Sequence, residues 1–230
     1  MTKNNIVIGA LLIALGLAAL GLFVKSGMDA MAFRDRQVTV RGLAERQVEA
    51  DFVTWPITYR VAGDNLLSLY DQVTANNNTI VTFLTSNGIP KEDISVNPPD
   101  TYNAAANQYG SDSFRYKYAL ECTVSVSTSK VDKVRALINR QSELLKEGIP
   151  YSNSYINYEF RALNSIKPDM IAEATKAARE AADRFAQDSG SKIGKMKSAS
   201  QGQFSIEDVS QTTPYMKNVR VVTSIVYYLK

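Results

Sequence analysis

Val53-Thr54-Trp55-Pro56-Ile57-Thr58-Tyr59-Arg60-Val61 alternates apolar and polar residues along its whole length, apart from Pro56. Successive strand side chains point to opposite faces, so Val53, Trp55, Ile57, Tyr59 and Val61 predict one buried face. Pro56 has no N–H for a ladder and predicts an edge or a bulge. The period then changes. Asp64 is the expected N-cap, and Leu66, Leu69, Tyr70, Val73, Ile80, Phe83 and Leu84 recur at helical spacing until Gly88. The run Asn76-Asn77-Asn78 is poor helix material, so tertiary packing must hold it. A half-buried strand followed by an amphipathic helix, with more strands beyond, sets the fold class: α+β, a mostly antiparallel sheet covered by helices.

Towards the C-terminus, Ile94 and Val96 begin a strand that Pro98-Pro99 interrupts, and Asn103 to Ser113 reads as a loop. Phe114 to Ser127 is a strand in which Leu120, Cys122, Val124 and Val126 alternate inward. Ser129 is the expected cap of a second helix carrying Val131, Val134, Leu137, Ile138, Leu144 and Leu145, with Gly148 at its end. Both helices close on the same tripeptide, Gly88-Ile89-Pro90 and Gly148-Ile149-Pro150. Either a strand–helix–strand unit is duplicated, or Gly then Pro is ordinary helix punctuation. Tyr155 to Arg161 is a further strand. Lys167 to Ser189 is a long helix with the stripe Ile171, Ala174, Ala178, Ala181, Ala182 and Phe185. Ile193 and Met196 start another strand, Gln211 to Lys217 is a loop, and Val219 to Leu229 is a terminal strand. Gly42, Gly88, Gly110, Gly148, Gly190, Gly194 and Gly202 are expected at turns.

Towards the N-terminus, Val38 and Val40 begin a strand that precedes Gly42. Before it lies Ile6 to Val24, IVIGALLIALGLAALGLFV, with no charge in it. At about 1.5 Å per residue this run just spans a hydrocarbon core about 30 Å thick. The resulting organisation is an N-terminal membrane anchor at 1–27, a tether at 28–35 and a water-soluble domain at 36–230. The competing reading is a cleaved signal peptide, with Lys3 as its basic start and Ala30-Met31-Ala32 as its cleavage signature, although the run exceeds the usual h-region of about 7–15 residues. Lys3 and the N-terminal amine oppose Lys25, Arg34 and Arg36, so charge does not fix orientation. Ala10, Ala14 and Ala18 recur every four residues and are the candidate membrane helix packing face.

Composition removes many chemistries. The 230 residues include no histidine and one cysteine, Cys122, and the formal net charge is +3. Absence of histidine removes the commonest general acid–base and metal ligand. A single cysteine forms no internal disulfide and no thiolate metal cluster. Acids and bases are interspersed without a basic block, so nucleic acid is not an expected partner. Neither a P-loop nor a dinucleotide fingerprint appears. Carboxylate chemistry survives this sieve, but no pair of acids stands out. The expectation is no catalytic residue, no cofactor and no metal.

Val38-Thr39-Val40-Arg41-Gly42-Leu43-Ala44-Glu45, then Ala50-Asp51 and an alternating strand, resembles the opening of the SIMPL-domain family. The helix ending Asn87-Gly88-Ile89 and leading to Asp93-Ile94 resembles the family's next block. So do the tyrosine-led strand Tyr118 to Val126, the alanine-rich helix closed by Gly190-Ser191-Lys192-Ile193-Gly194-Lys195, and the terminal strand. Leu43, where many members carry Gly, and the pair Trp55-Pro56 depart from the pattern. The resemblance implies an α+β fold, an exported or membrane-anchored bacterial protein and, in some members, ring-like oligomers or stress tolerance. It carries no catalytic residues. The expected function is a single-pass inner-membrane protein with its domain on the periplasmic side, a self-assembling scaffold or binding protein of the envelope. Its expected partners are the lipid bilayer, further copies of itself in a cyclic homo-oligomer, and an envelope protein. The alternatives are a soluble periplasmic chaperone or ligand binder released by signal cleavage, and a carboxylate-based hydrolase.

Overall fold

The computed structural model describes residues 3–34, 36–103, 116–152 and 155–230. In chain order they form α1 (Lys3–Arg34), β1 (Gln37–Glu49), β2 (Phe52–Gly63), α2 (Leu66–Ser86), β3 (Ile94–Val96), β4 (Asp100–Asn103), β5 (Tyr118–Thr128), α3 (Val131–Ile138), α4 (Ser142–Lys146), β6 (Tyr151–Ser152), β7 (Asn157–Glu159), α5 (Leu163–Asp188), β8 (Ile193–Gln201), β9 (Ser205–Asp208) and β10 (Met216–Leu229). The fold is α+β with antiparallel pairing, as the alternating and helical periods predict. There are two sheets rather than one, and the chain divides into two compact units. The expected loop from 104 onwards, Gly110 and the expected strand start at Phe114 lie outside the described residues.

The first unit comprises residues 1–46, 166–205 and 219–230. Its sheet runs β1-β10-β8, with Thr223 opposite Gln201 and Leu229 opposite Ile193. β1 does not stop at Gly42. A Cβ there would lie 1.9 Å from the Ala174 carbonyl oxygen and 2.4 Å from the Ala178 nitrogen, so α5 seats backbone to backbone on the strand. Gly42 is therefore a close-approach glycine and not a turn glycine. Gly194 likewise sits inside β8, facing the Tyr228 carbonyl. The buried stripe of α5 is Met170, Ala174, Ala178, Ala182 and Ala186. Ala181 and Phe185, expected in it, are exposed, and Ile171 is half-buried. An interhelix-like seam this close admits only the i, i+4 row, which is narrower than a helix facing bulky side chains presents. Val38, Val40, Ile225 and Tyr227 complete the contact. α1 runs unbroken through Arg34, because Met28 to Arg34 holds no breaker; the expected tether is helical over its described residues, 28–34.

The second unit comprises residues 47–165 and 206–218. Its sheet runs β3-β5-β2-β6, with β4 also beside β5 and β7 beside β2. The inward faces of β2 and β5 pack against α2, α3 and α4 through Trp55, Ile57, Leu84, Leu120, Val134 and Leu144 among others. β9, absent from the sequence reading, pairs with β10, where the Val209 N–H donates to the Met216 carbonyl at 2.9 Å.

The duplication is visible in register. β2–α2–β3 places β3 beside β5, and β5–α3–α4–β6 places β6 beside β2. β3 meets β5 with Val96 opposite Val124, and β4 continues at Asp100 opposite Glu121, one residue out of step. β6 meets β2 with Tyr59 opposite Tyr151, and β7 continues at Thr54 opposite Asn157, with the same one-residue slip. Thr58 and Thr123 face each other at the centre, hydroxyls 3.0 Å apart. The repeated tripeptides share one geometry. Gly88 and Gly148 take φ of +86° and +80°, and the Ile89 and Ile149 N–H groups donate back to Leu84 and Leu144. Each isoleucine then buries its side chain, which completes a Schellman-type cap.

Three local expectations are corrected. Pro56 lies in the interior strand β2, in unbroken register with β5, not at an edge or bulge. On its other flank, β7 pairs residues 52–54 and β6 pairs 58–59, so Pro56 sits in the break between them. The cap of α2 is Asn65, whose Oδ1 accepts the Leu67 and Ser68 N–H groups, while Asp64 accepts the Lys117 N–H. The expected second helix is broken into α3 and α4. Thr128, not Ser129, holds the N–H of the residue before α3.

Candidate functional site

The stretch that opens the family resemblance is occupied with architecture. Gly42 admits α5, as described above. Glu45 pairs with Arg220 at 3.3 Å and Arg46 with Glu173 at 2.5 Å. Asp51 accepts the Arg161 and Ala162 N–H groups, one on each carboxylate oxygen and both at 2.7 Å, immediately before α5 begins. The Arg161 guanidinium lies 3.2 Å from the Phe52 ring centroid and also bonds Glu159. A carboxylate holding one backbone donor on each oxygen ties two chain segments together at a crossing. Gly190, with φ of +66°, closes α5.

A family model described as SIMPL, protein of unknown function (DUF541), matches residues 38–225. The chain belongs to the SIMPL family. No curated protein matches it.

Inside the second unit of the SIMPL domain, Tyr59 and Cys122 lie opposite one another, both essentially without exposure. The Tyr59 hydroxyl is 2.8 Å from Asn77 Oδ1 and 3.1 Å from the Val73 carbonyl. This contact explains how α2 tolerates its asparagine run: Asn77 satisfies a buried phenol. Burial pushes the Tyr59 phenol up, and the neighbouring thiol adds to the effect. Burial also pushes the Cys122 thiol up, partly opposed by its hydrogen bond with Tyr59. A reactive cysteine needs a stabilised thiolate and access. Cys122 has neither, so the structure brings no nucleophile–base pair together here.

Two of the cavities in the second unit are lined by charged side chains. One, of about 370 Å³, is lined by Glu49, Lys130, Asp132, Lys133, Arg135 and Tyr215 together with three smaller residues. The Arg135 guanidinium stacks 3.5 Å from the Tyr215 ring centroid and pairs with Asp132 at 3.6 Å. Tyr158 meets Tyr215 edge-on, with ring centroids 6.3 Å apart. Its two acids and three bases balance closely. The other cavity, of about 440 Å³, lies between α2 and α4 and is lined by Asn78, Thr79, Thr82, Ser86, Glu143 and Glu147 among others. Neither was read from the sequence, because each joins residues from separate elements with no shared motif. Among the described residues, no three His, Cys, Asp or Glu side chains are placed to hold a metal.

α1 presents a different kind of surface. Leu11–Met28 is long and apolar enough to cross a membrane, with a mean hydropathy of 2.0, and none of it is buried. Leu12, Leu15, Leu22 and Phe23 are all more than half exposed. Ala14 and Ala18 lie exposed along this helix, four residues apart. The side chain of Ala10, the third member of the expected packing face, lies outside the described ones.

Proposed function

We propose that this protein is a membrane-anchored component of a bacterial envelope, whose SIMPL domain works on the periplasmic side as a self-assembling scaffold or binding module and not as an enzyme. The observation that carries the reading is α1, a helix apolar on every side with none of its Leu11–Met28 window covered by protein. So large an apolar surface is stable in lipid and unfavourable in water. Family membership supports an envelope setting. The non-enzymatic part rests on the positions of the signature residues, which serve packing and chain crossings, and on the burial of Cys122 without a base. The proposed partners are the bilayer, further copies of the chain and an envelope protein, and the proposed role extends to envelope stress through the family resemblance.

The test is membrane partitioning. The wild-type chain is expected in the membrane fraction with residues 6–24 retained. Leu15→Arg, at the centre of the run, costs about 2.5–3.5 kcal/mol on insertion scales and is expected to release the protein. Recovery of the wild type as a soluble product beginning at Phe33 would overturn the anchor and favour a secreted binder cut after Ala32.

A further inference from the structure

We propose that the free edge of β1 pairs antiparallel with the same edge of a second copy of this chain, with Leu43 opposite Leu43 on the two-fold axis. The inference deepens the self-assembly reading above and rests on it.

β1 is thirteen residues long and ends its sheet: β10 lies on one side, and no strand among the described residues pairs with the other. A long, regular edge is an open template for strand pairing unless it is guarded. The opposite edge of this sheet is guarded. β8 carries Lys195 and Lys197, and its register with β10 breaks between Val226 and Tyr227 and again before Leu229. The central part of β1 has no lysine and no break in its alternation, and its charges, Arg41 and Glu45, are of opposite sign. Its burial alternates without a fault from Gln37 to Glu45, so no bulge interrupts it. It is also held stiffly, by the Gly42 contact with α5 and by buried Val38 and Val40, so pairing orders little that is not already ordered.

The backbone says which groups are on offer. The Arg36 carbonyl accepts the Leu229 N–H, so even-numbered positions of β1 address β10. By alternation, Arg41, Leu43 and Glu45 direct their N–H and C=O groups to the free edge and their side chains to the face away from α5. Leu43 is 43% exposed there, a large apolar residue between a base and an acid. Two such edges brought together antiparallel have several possible registers. Centring on Leu43 sets Arg41 opposite Glu45 of the second copy, twice by symmetry, and joins the two apolar side chains at the axis. Centring on Arg41 or on Glu45 would oppose like charges. Among the registers centred on these three residues, only Leu43 makes the edge self-complementary, as an isologous interface requires. Two copies anchored in one membrane meet at high effective concentration, which favours so compact a contact.

The test uses the full-length protein in mild detergent, with mass measured in solution. Wild type is expected as a two-fold assembly or a multiple of it. Leu43→Pro removes an N–H that points to the free edge and not to β10, so the fold is retained, as its circular dichroism should report, and the dimer is lost. Arg41→Glu and Glu45→Lys each oppose like charges in a homodimer, and each alone is expected to be monomeric. Mixed one to one they restore both ion pairs and re-form a dimer. Register is read by cross-linking in a Cys122→Ser background. Leu43→Cys places two thiols across a hydrogen-bonded pair, where Cα atoms are about 5.5 Å apart and a disulfide can close. Arg41→Cys places them more than about 13 Å apart and should not cross-link. A wild type that is monomeric at all concentrations overturns the self-assembly reading together with this interface. An oligomer that survives Leu43→Pro and gives no cross-link at position 43 overturns this interface alone.

Discussion

The two units of this protein build their cores by opposite means. In the second, β2, β5 and their helices interlock through large side chains: Trp55, Ile57, Tyr59, Leu84, Leu120 and Leu144 are all buried. In the first, α5 reaches β1 because side chains are missing, and its buried row is alanine facing Gly42. A core of large side chains is damaged by removing atoms, and a core of backbone contact by adding them. The family signature falls largely on the second kind. Gly42 and the alanines of α5 are recognisable in sequence because so few residue types fit where two backbones touch.

The contrast is sharpest at Gly42, where the largest effect is expected. Gly42→Val places a branched side chain on a Cβ that would lie 1.9 Å from a carbonyl oxygen. The obstacle is backbone and cannot rotate away, so the loss exceeds the usual cost of overpacking, about 1–3 kcal/mol. The variant is expected to lose the β1–α5 contact altogether and to unfold at a far lower temperature in a thermal melt. Ala181→Leu, on the exposed side of α5, is expected to leave the melt within about 0.5 kcal/mol of wild type. Equal damage from the two substitutions would mean that α5 does not seat on β1 in this way.

Leu84→Ala probes the other core. Leu84 is fully buried, and its carbonyl also anchors the cap that positions Ile89. Truncation is expected to cost about 2–5 kcal/mol, read as a lower urea midpoint with an unchanged slope. A cost below about 1 kcal/mol would show that the second unit relaxes around a cavity and is not the rigid, shape-keyed core described.

These differences also explain what could be read from the chain. Alternation of period two and the Gly-Ile-Pro repeats are local signals; they located β2, β5 and α2 and left the duplication as one of two readings, which the strand register decides. Gly42 reads as a turn glycine because its neighbours Ala174 and Ala178 are more than 130 residues away in sequence, and no local pattern shows a helix backbone passing over a strand. The apolar stripe of α5 reads one row too wide for the same reason. Ala181 and Ala182 are equally apolar, and only the closeness of β1 selects one. Asn65 and Asp64 are both good caps on paper, and the choice follows from Lys117, which claims Asp64. The apolar helix α1, long enough to cross a membrane, was legible because its signal is composition over a fixed length. The two surface cavities and the open edge of β1 were not, since each depends on which element is missing beside another.

The smallest expected effect is a pH dependence confined to the second unit. Cys122 and Tyr59 are buried side by side, and burial raises both groups above their ordinary values. Below the ordinary thiol value of about 8.5, folded and unfolded chains both hold these protons, and burial of the neutral groups carries no ionisation cost. Above it the unfolded chain releases the Cys122 proton while the folded chain keeps it, so stability falls as pH rises. Tyr59 adds a second decline from about pH 10, its ordinary value. The urea midpoint is therefore expected to be flat near neutrality and to drop in two stages on the alkaline side. Cys122→Ser should abolish the first stage and keep the second. Tyr59→Phe should keep the first stage and shrink the second, which the Tyr158 phenol, also pushed up by burial, shares; it carries a constant loss of about 0.5–1.5 kcal/mol because the Asn77 Oδ1 loses its donor. The first unit contributes no such buried pair among the described residues, so hydrogen exchange should show α2 and β5 loosening with alkali before α5 does. Alkaline loosening that begins in α5, or a first stage that persists in Cys122→Ser, would place the sensitive groups elsewhere.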